Sequence, residues 1–133
     1  MRNVLTTCVY CGCGCGLYLK EVRSRVTGVA PSRNHPVSQG NLCVKGWHIH
    51  EFIHSPERLT TPLIRKHGEL TPASWDEALE LIAGELGRIR DQHGSDALAV
   101  IASAKCTNEE NYLLQKFTRA ALGTNNIDHC ARL

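Results

Sequence analysis

The stretch "CVYCGCGCGLYL" gathers the residues best suited to chemistry in this 133-residue chain. Cys8, Cys11 and Cys15 have the spacing C-x2-C-x3-C, and a fourth cysteine, Cys43, follows much later in "GNLCVKG". A compact loop offering three thiolates, closed by one distant thiolate, suits a 4Fe-4S cluster, because each of the four irons takes one cysteine. Glycines alternate with the thiols here. They let the backbone curl round the cluster and turn N–H groups toward its sulfurs, which stabilises an anionic centre and tunes its potential. Cys13 is then surplus to the ligand set and reads as a small buried or chance cysteine.

Other chemistries compete for the same residues. A zinc ribbon wants two C-x2-C knuckles, and Cys43 has no partner two or three residues away. A thioredoxin-type dithiol wants a strand before it and a helix opening at it, which this glycine-rich context does not provide. "HEFIH", His50 to His54, matches H-E-x-x-H, in which two histidines one helical turn apart hold zinc and the glutamate is a general base. Pro56 would end such a helix at once, and no G-x-x-H supplies a third ligand, although Glu69 or Glu77 could serve. Among seven histidines so short a pattern arises easily by chance, and Trp47, Phe52 and Ile53 fit a short helix covering the cluster loop. Lys45, two residues past Cys43, is either a solvated cation or a bridge from the cluster to a second redox centre. Spacing alone leaves both open.

Composition narrows the class. A hydrophobic fraction of 42% and a charged fraction of 21% are ordinary for a globular protein, and a net charge of +2 does not suggest nucleic acid. No apolar run is long enough for a membrane span. The start "MRNVLTTC" has neither an apolar core nor paired arginines, so a cytoplasmic location is expected. There, seven cysteines point to metal or redox chemistry before disulfides.

The elements that must hold these residues fall into two parts. Residues 1–56 read as a small strand-rich 4Fe-4S domain, with strands in "NVLTTC", "LYLKEV" and "RVTGVAP" between turn residues. It has few large apolar side chains, so a metal would supply missing stability. Residues 57–133 read as the first, incomplete part of an α/β domain. Ser74 and Glu77 form a capping box, after which Trp75, Ala78, Leu79, Ile82, Leu86 and Ile89 recur at helical spacing until Gly94. "ALAVIAS" predicts a buried parallel strand, Ala97 to Ser103. Thr107 and Glu110 make a second box, opening a helix with Leu113, Leu114, Phe117 and Ala121 on one face and Gly123 as its stop. "NNID" starts the next strand, so the order is one βαβ unit.

"CVYCGCGCG", "GNLCVKG", "TPLIRKHGELTPASWDEAL" and "TNEENYLLQKFTRAALGTNNIDHCARL", in this order, resemble the N-terminal portion of molybdenum- or tungsten-dependent formate dehydrogenases of the bis-molybdopterin guanine dinucleotide family. Periplasmic nitrate reductases and the large iron–sulfur subunit of complex I resemble the cluster part too, and the "NNIDHCARL" tail favours formate dehydrogenase. The resemblance implies that Cys8, Cys11, Cys15 and Cys43 bind the 4Fe-4S cluster and that Lys45 relays electrons between cluster and pterin. "SAKCTNEEN" is expected near the Mo or W pterin, with no individual ligand assigned.

The implied reaction is reversible oxidation of formate to carbon dioxide, with electrons leaving through pterin, Lys45 and the cluster to a ferredoxin-like iron–sulfur subunit, in some systems linked to a hydrogenase. After the "CAR-apolar" tail, the resemblance places the metal ligand, cysteine or selenocysteine. A UGA selenocysteine codon read as termination is the expectation for a chain that stops at Leu133. Alone, the 133 residues would hold the electron exit without that ligand, and Cys130 reads as a buried strand-end cysteine. A stand-alone 4Fe-4S electron carrier and a zinc protein using "HEFIH" are the alternatives.

Overall fold

In the computed structural model, which describes residues 1–130, the chain opens with an antiparallel meander of β1 (Arg2–Thr7), β2 (Gly16–Val22) and β3 (Arg25–Pro31), in that order. Arg2 faces Glu21 and Thr7 faces Gly16, and on the other side Leu17 faces Pro31 and Leu19 faces Val29. Alternation does the sorting: Leu17 and Val29 are buried, and Leu19 packs against them. Arg23 and Ser24, both at positive φ, form the two-residue turn between β2 and β3, whose primed geometry matches strand twist. Cys8 and Ile49 complete this small core, with Tyr10, Cys15, Leu42 and Phe52 against it. These elements belong to a unit comprising Met1–Arg58, Ala102–Leu113 and, among the described residues, His129 and Cys130.

Helix α1 (Val44–Trp47) is a single turn. The short helix expected around Trp47, Phe52 and Ile53 therefore stops at Trp47, and residues 48–54 run through successive turns with bonds such as Glu51 N–H to His48 O (3.1 Å) and Ile53 N–H to His50 O (3.4 Å). The tighter three-residue spacing replaces α-helical bonding ahead of Pro56. Phe52 still covers the cysteine loop: it meets Tyr10 edge-on at 6.2 Å, and the Arg58 guanidinium lies 5.1 Å from its ring centre.

The second unit comprises Leu59–Ile101 and Leu114–Asp128. It starts with a hairpin that sequence reasoning missed, β4 (Leu63–Lys66) paired antiparallel with β5 (Glu69–Pro72). His67 and Gly68, both at positive φ, were its signal. Helix α2 (Trp75–His93) is capped by Ser74, whose Oγ accepts from Glu77 N–H (3.1 Å), and ends at Gly94 with φ 84°. The Glu77 carboxylate pairs with Lys66 Nζ at 2.6 Å.

The expected strand at Ala97 to Ser103 is shorter: Ser95–Ala97 forms a tight turn, and β6 covers only Val100–Ala102. Side chains occupy the backbone that a longer strand would use, since Asn126 Nδ2 donates to the carbonyls of Asp96 (3.1 Å) and Leu98 (3.2 Å). The strand is not buried on both faces either, because Ile101 is 85% exposed. A parallel strand is buried only where layers cover both its faces, and among the described residues β6 has one strand neighbour, β7 (Ile127–His129).

Helix α3 (Asn108–Phe117) continues in wider π geometry over Thr118–Leu122 and stops at Gly123 in the left-handed region. Thr118, fully buried, turns its hydroxyl back to Leu114 O at 2.7 Å, a bond that competes with regular helix bonding. The apolar face of α2 lines a groove of about 460 Å³ with Phe117 and Ala121, so Leu79, Ile82 and Phe117 stay exposed. The order β6, α3, β7 is the βαβ unit expected. Ala131, Arg132 and Leu133, the end of the "CAR-apolar" tail, lie outside the described residues.

Candidate metal centre

Strands β1 and β2 position the first cysteines by simple continuation. Cys8 N–H donates to Cys15 O at 2.8 Å, one step beyond the ladder pair Thr7 and Gly16, so the two thiol-bearing residues face each other at the loop end of the hairpin. Between them, Gly14 N–H donates to Cys11 O at 3.2 Å, closing a turn over Gly12 and Cys13, and Gly14 takes φ 57°, which a side chain resists. Cys43 arrives separately as the N-cap of α1.

The thiols feel one another. Burial first, and then the charges of Cys13, Cys8, Cys11 and Cys43, hold the Cys15 thiol above its ordinary value. Cys43 goes the other way: the Gly46 N–H foremost, then the Lys45 N–H and ammonium, hold its thiol below the ordinary value against the opposing effect of burial. Cys13, Cys8, Cys11 and Cys43 all lie near enough for their charge to act on Cys15, and a compact group of at least four thiols suits a 4Fe-4S cluster, which takes one cysteine on each iron. The donor set therefore fits the group. Among the described residues, no three His, Cys, Asp or Glu side chains gather as a single metal ion requires.

Lys45 is half-buried, lining a cavity of about 320 Å³ with Tyr10, Val44, His48, Glu51 and Phe52. That position differs from the solvated surface cation that spacing alone allowed. Cys13 is exposed, so its buried reading does not hold. "HEFIH" does not form a helical ligand pair: His54 Nε2 accepts the Val26 N–H at 2.9 Å, and His48 Nδ1 pairs with Glu51 Oε1 at 2.6 Å. The structure puts these side chains to work in loop architecture.

At the end of β6, Ser103 Oγ lies 3.6 Å from Cys130 Sγ and accepts the Lys105 N–H at 3.0 Å. Cys130 is exposed, not buried as expected for a strand-end cysteine, and Ser103, then the Ala104 N–H and Lys105, hold its thiol below the ordinary value. One contact escaped sequence reasoning altogether. Asn108 Nδ2 donates to Gly12 O at 2.9 Å across 96 positions of sequence.

Residues 1–55 match the family model described as molybdopterin oxidoreductase Fe4S4 domain, and residues 58–133 match the one described as molybdopterin oxidoreductase. The chain belongs to the molybdopterin oxidoreductases. The two descriptions name the cofactors of this family, a 4Fe-4S cluster and a molybdopterin, and the strand-rich meander followed by the start of an α/β domain is its front end. This molybdopterin oxidoreductase is similar to the F420-dependent formate dehydrogenase 1 subunit alpha of Methanococcus maripaludis, with 52% identity over 96% of the chain and 18% of the relative. It is equally similar, at 52% over 99% of the chain and 19% of the relative, to the F420-dependent formate dehydrogenase subunit alpha of Methanocaldococcus jannaschii. A second Methanococcus maripaludis subunit alpha is 51% identical over 99% of the chain. The chain thus spans under a fifth of the length of these curated relatives. No helix among its described residues is long and apolar enough to cross a membrane.

Proposed function

We propose that the chain is the N-terminal portion of a formate dehydrogenase, or carbon dioxide reductase, catalytic subunit, and that it carries the electron exit of that enzyme. The observation that supports this most is the identity of about half of all positions, over nearly the whole chain, with formate dehydrogenase alpha subunits. In this reading residues 1–56 form the 4Fe-4S domain, with Cys8, Cys11, Cys15 and Cys43 as ligands, and residues 57–133 begin the pterin-binding domain. When bound, the Mo or W bis-molybdopterin guanine dinucleotide would supply the two-electron oxidation of formate to carbon dioxide and a proton, and Cys8, Cys11, Cys15 and Cys43 would hold the cluster that supplies one-electron chemistry.

The chain's own residues hold and bias this exit. The Gly46 and Lys45 N–H groups favour the thiolate of Cys43, which prepares it as a ligand. Lys45, half-buried beside Cys43, relays electrons between cluster and pterin. The electrons leave to a ferredoxin-like iron–sulfur subunit, with a hydrogenase or F420 as further acceptors, the latter drawn from the relatives' names. A cytoplasmic setting suits this exchange.

Anaerobic reconstitution with iron and sulfide tests the ligand set. The chain should take up about four irons and turn brown, and Cys8→Ala or Cys43→Ala should each abolish the charge-transfer absorption. If both variants keep it, the ligand set is wrong. In the assembled enzyme, Lys45→Met should slow formate-driven reduction of an external acceptor while leaving iron content unchanged; an unchanged rate would remove the relay role.

A further inference from the structure

The turn that carries Cys11 is closed by Gly14 N–H to Cys11 O, which makes the Gly12–Cys13 peptide its central unit. In a four-residue turn this peptide is the part that flips most readily, since turn types I and II differ mainly in its orientation. The flip turns on ψ of Gly12, which has no side chain to restrict it, and on φ of Cys13, which type II takes positive at a cost. The orientation seen is therefore the one an outside hydrogen bond can hold. A flip exchanges which side sees the Gly12 carbonyl and which sees the Cys13 N–H. Next to an anionic cluster, those two faces have opposite electrostatic effects.

One side chain holds this peptide from outside the loop. Asn108 Nδ2 donates to Gly12 O at 2.9 Å, and the amide lies so close over Gly12 that an added Cβ would collide with Asn108 Oδ1. Gly12 is not at positive φ, so its lack of a side chain answers to Asn108 and not to backbone conformation. Asn108 itself is set firmly at the first turn of α3. Thr107 N–H donates to Glu110 Oε2 at 2.7 Å and Glu110 N–H to Thr107 Oγ1 at 3.2 Å, a closed capping box round it. Asn111 Nδ2 donates to Ser103 O at 3.1 Å, tying the same turn of helix to the loop after β6.

We infer that Asn108 is a positioning residue for the cluster loop, fixing the orientation of the Gly12–Cys13 peptide from the first turn of α3. It thereby links the loop that holds Cys11 to the carboxyl end of β6. The inference rests on the proposed role of the cysteine loop as a 4Fe-4S site. With the Gly12 carbonyl held by Asn108, the Cys13 N–H stays on the opposite side of the turn. Releasing it would free the carbonyl to reorient, and a carbonyl turned toward a bound cluster would disfavour the cluster's more negative, reduced form.

The test is the reduction potential of the reconstituted chain, followed by electron paramagnetic resonance. Asn108→Ala and Asn108→Leu should both shift the potential downward with iron content unchanged. Gly12→Ala should give the same shift, because its methyl displaces the Asn108 amide, and Gly12→Ala combined with Asn108→Ala should add nothing further. If Asn108→Ala loads iron poorly, Asn108→Leu decides, since it keeps the volume of the side chain and adds no charge while offering nothing that can donate. A potential and spectrum identical to the parent in a fully loaded Asn108→Leu variant would overturn the inference and leave the ligand set standing. A parent chain that assembles no four-iron cluster would overturn the cluster reading and this inference together.

Discussion

Replacing Leu17 by alanine should unfold the cysteine hairpin well below the melting temperature of the parent chain. Leu17 is fully buried, follows Gly16 directly, and packs with Cys8, Val29 and Ile49 beneath the loop that carries Cys11 and Cys15. Truncation removes about three carbons, which at about 0.8 kcal/mol each contributes roughly 2.4 kcal/mol of lost transfer energy. The cavity left behind raises the total to about 3 kcal/mol, inside the usual range of about 2–5 kcal/mol for Leu→Ala in a core. For a unit of this size each kcal/mol shifts the midpoint by about 4–8 °C, so a fall on the order of 12–24 °C is expected. Thermal unfolding followed by circular dichroism, under anaerobic conditions and with and without reconstituted iron, measures it. The iron-loaded sample should also lose its cluster absorption in step with the sheet signal, since Cys8 belongs to the same core. A midpoint within about 2 °C of the parent would refute the reasoning that this small core carries the unit.

Ile101→Lys should change stability by no more than about 0.5 kcal/mol in this chain, because the side chain is 85% exposed; urea titration checks it. His54→Ala should cost about 1 kcal/mol or less by removing the acceptor of the Val26 N–H, and leave the iron content of the reconstituted chain unchanged. Loss of bound metal on that substitution would revive the histidine-ligand reading. Ser103→Ala should slow alkylation of Cys130 at pH 7–8, as read by mass spectrometry of the iodoacetamide adduct. Ser103 holds the Cys130 thiol below its ordinary value, so removing it raises the pKa and reduces the thiolate fraction at any pH beneath that pKa. An unchanged rate would show that the Ala104 N–H and Lys105 suffice.

The strands "NVLTTC", "LYLKEV" and "RVTGVAP" and both long helices were legible because their causes are local. Period-two alternation, Ser74 and Thr107 as caps, and Gly94 and Gly123 as stops act within a few residues. The hairpin of β4 and β5 was equally local and was missed only because its His67–Gly68 turn went unread. "ALAVIAS" misled for a different reason. An apolar run records what a strand can tolerate, whereas its length and burial depend on neighbours, here the Asn126 amide that takes the carbonyls of Asp96 and Leu98.

By itself the sequence determined the family, and it supplied the thiols, their glycines and their spacing, since that order has few other chemical uses. Local structure tunes Cys43, whose thiol meets the N–H groups of Lys45 and Gly46 because one helical turn starts there. Tertiary structure alone decided the surroundings of Lys45, which is half-buried because Tyr10 and Phe52 fold around the same cavity. Asn108 reaches Gly12 across 96 positions of chain. Contacts of that span arise from the packing of distant segments, which no local pattern encodes.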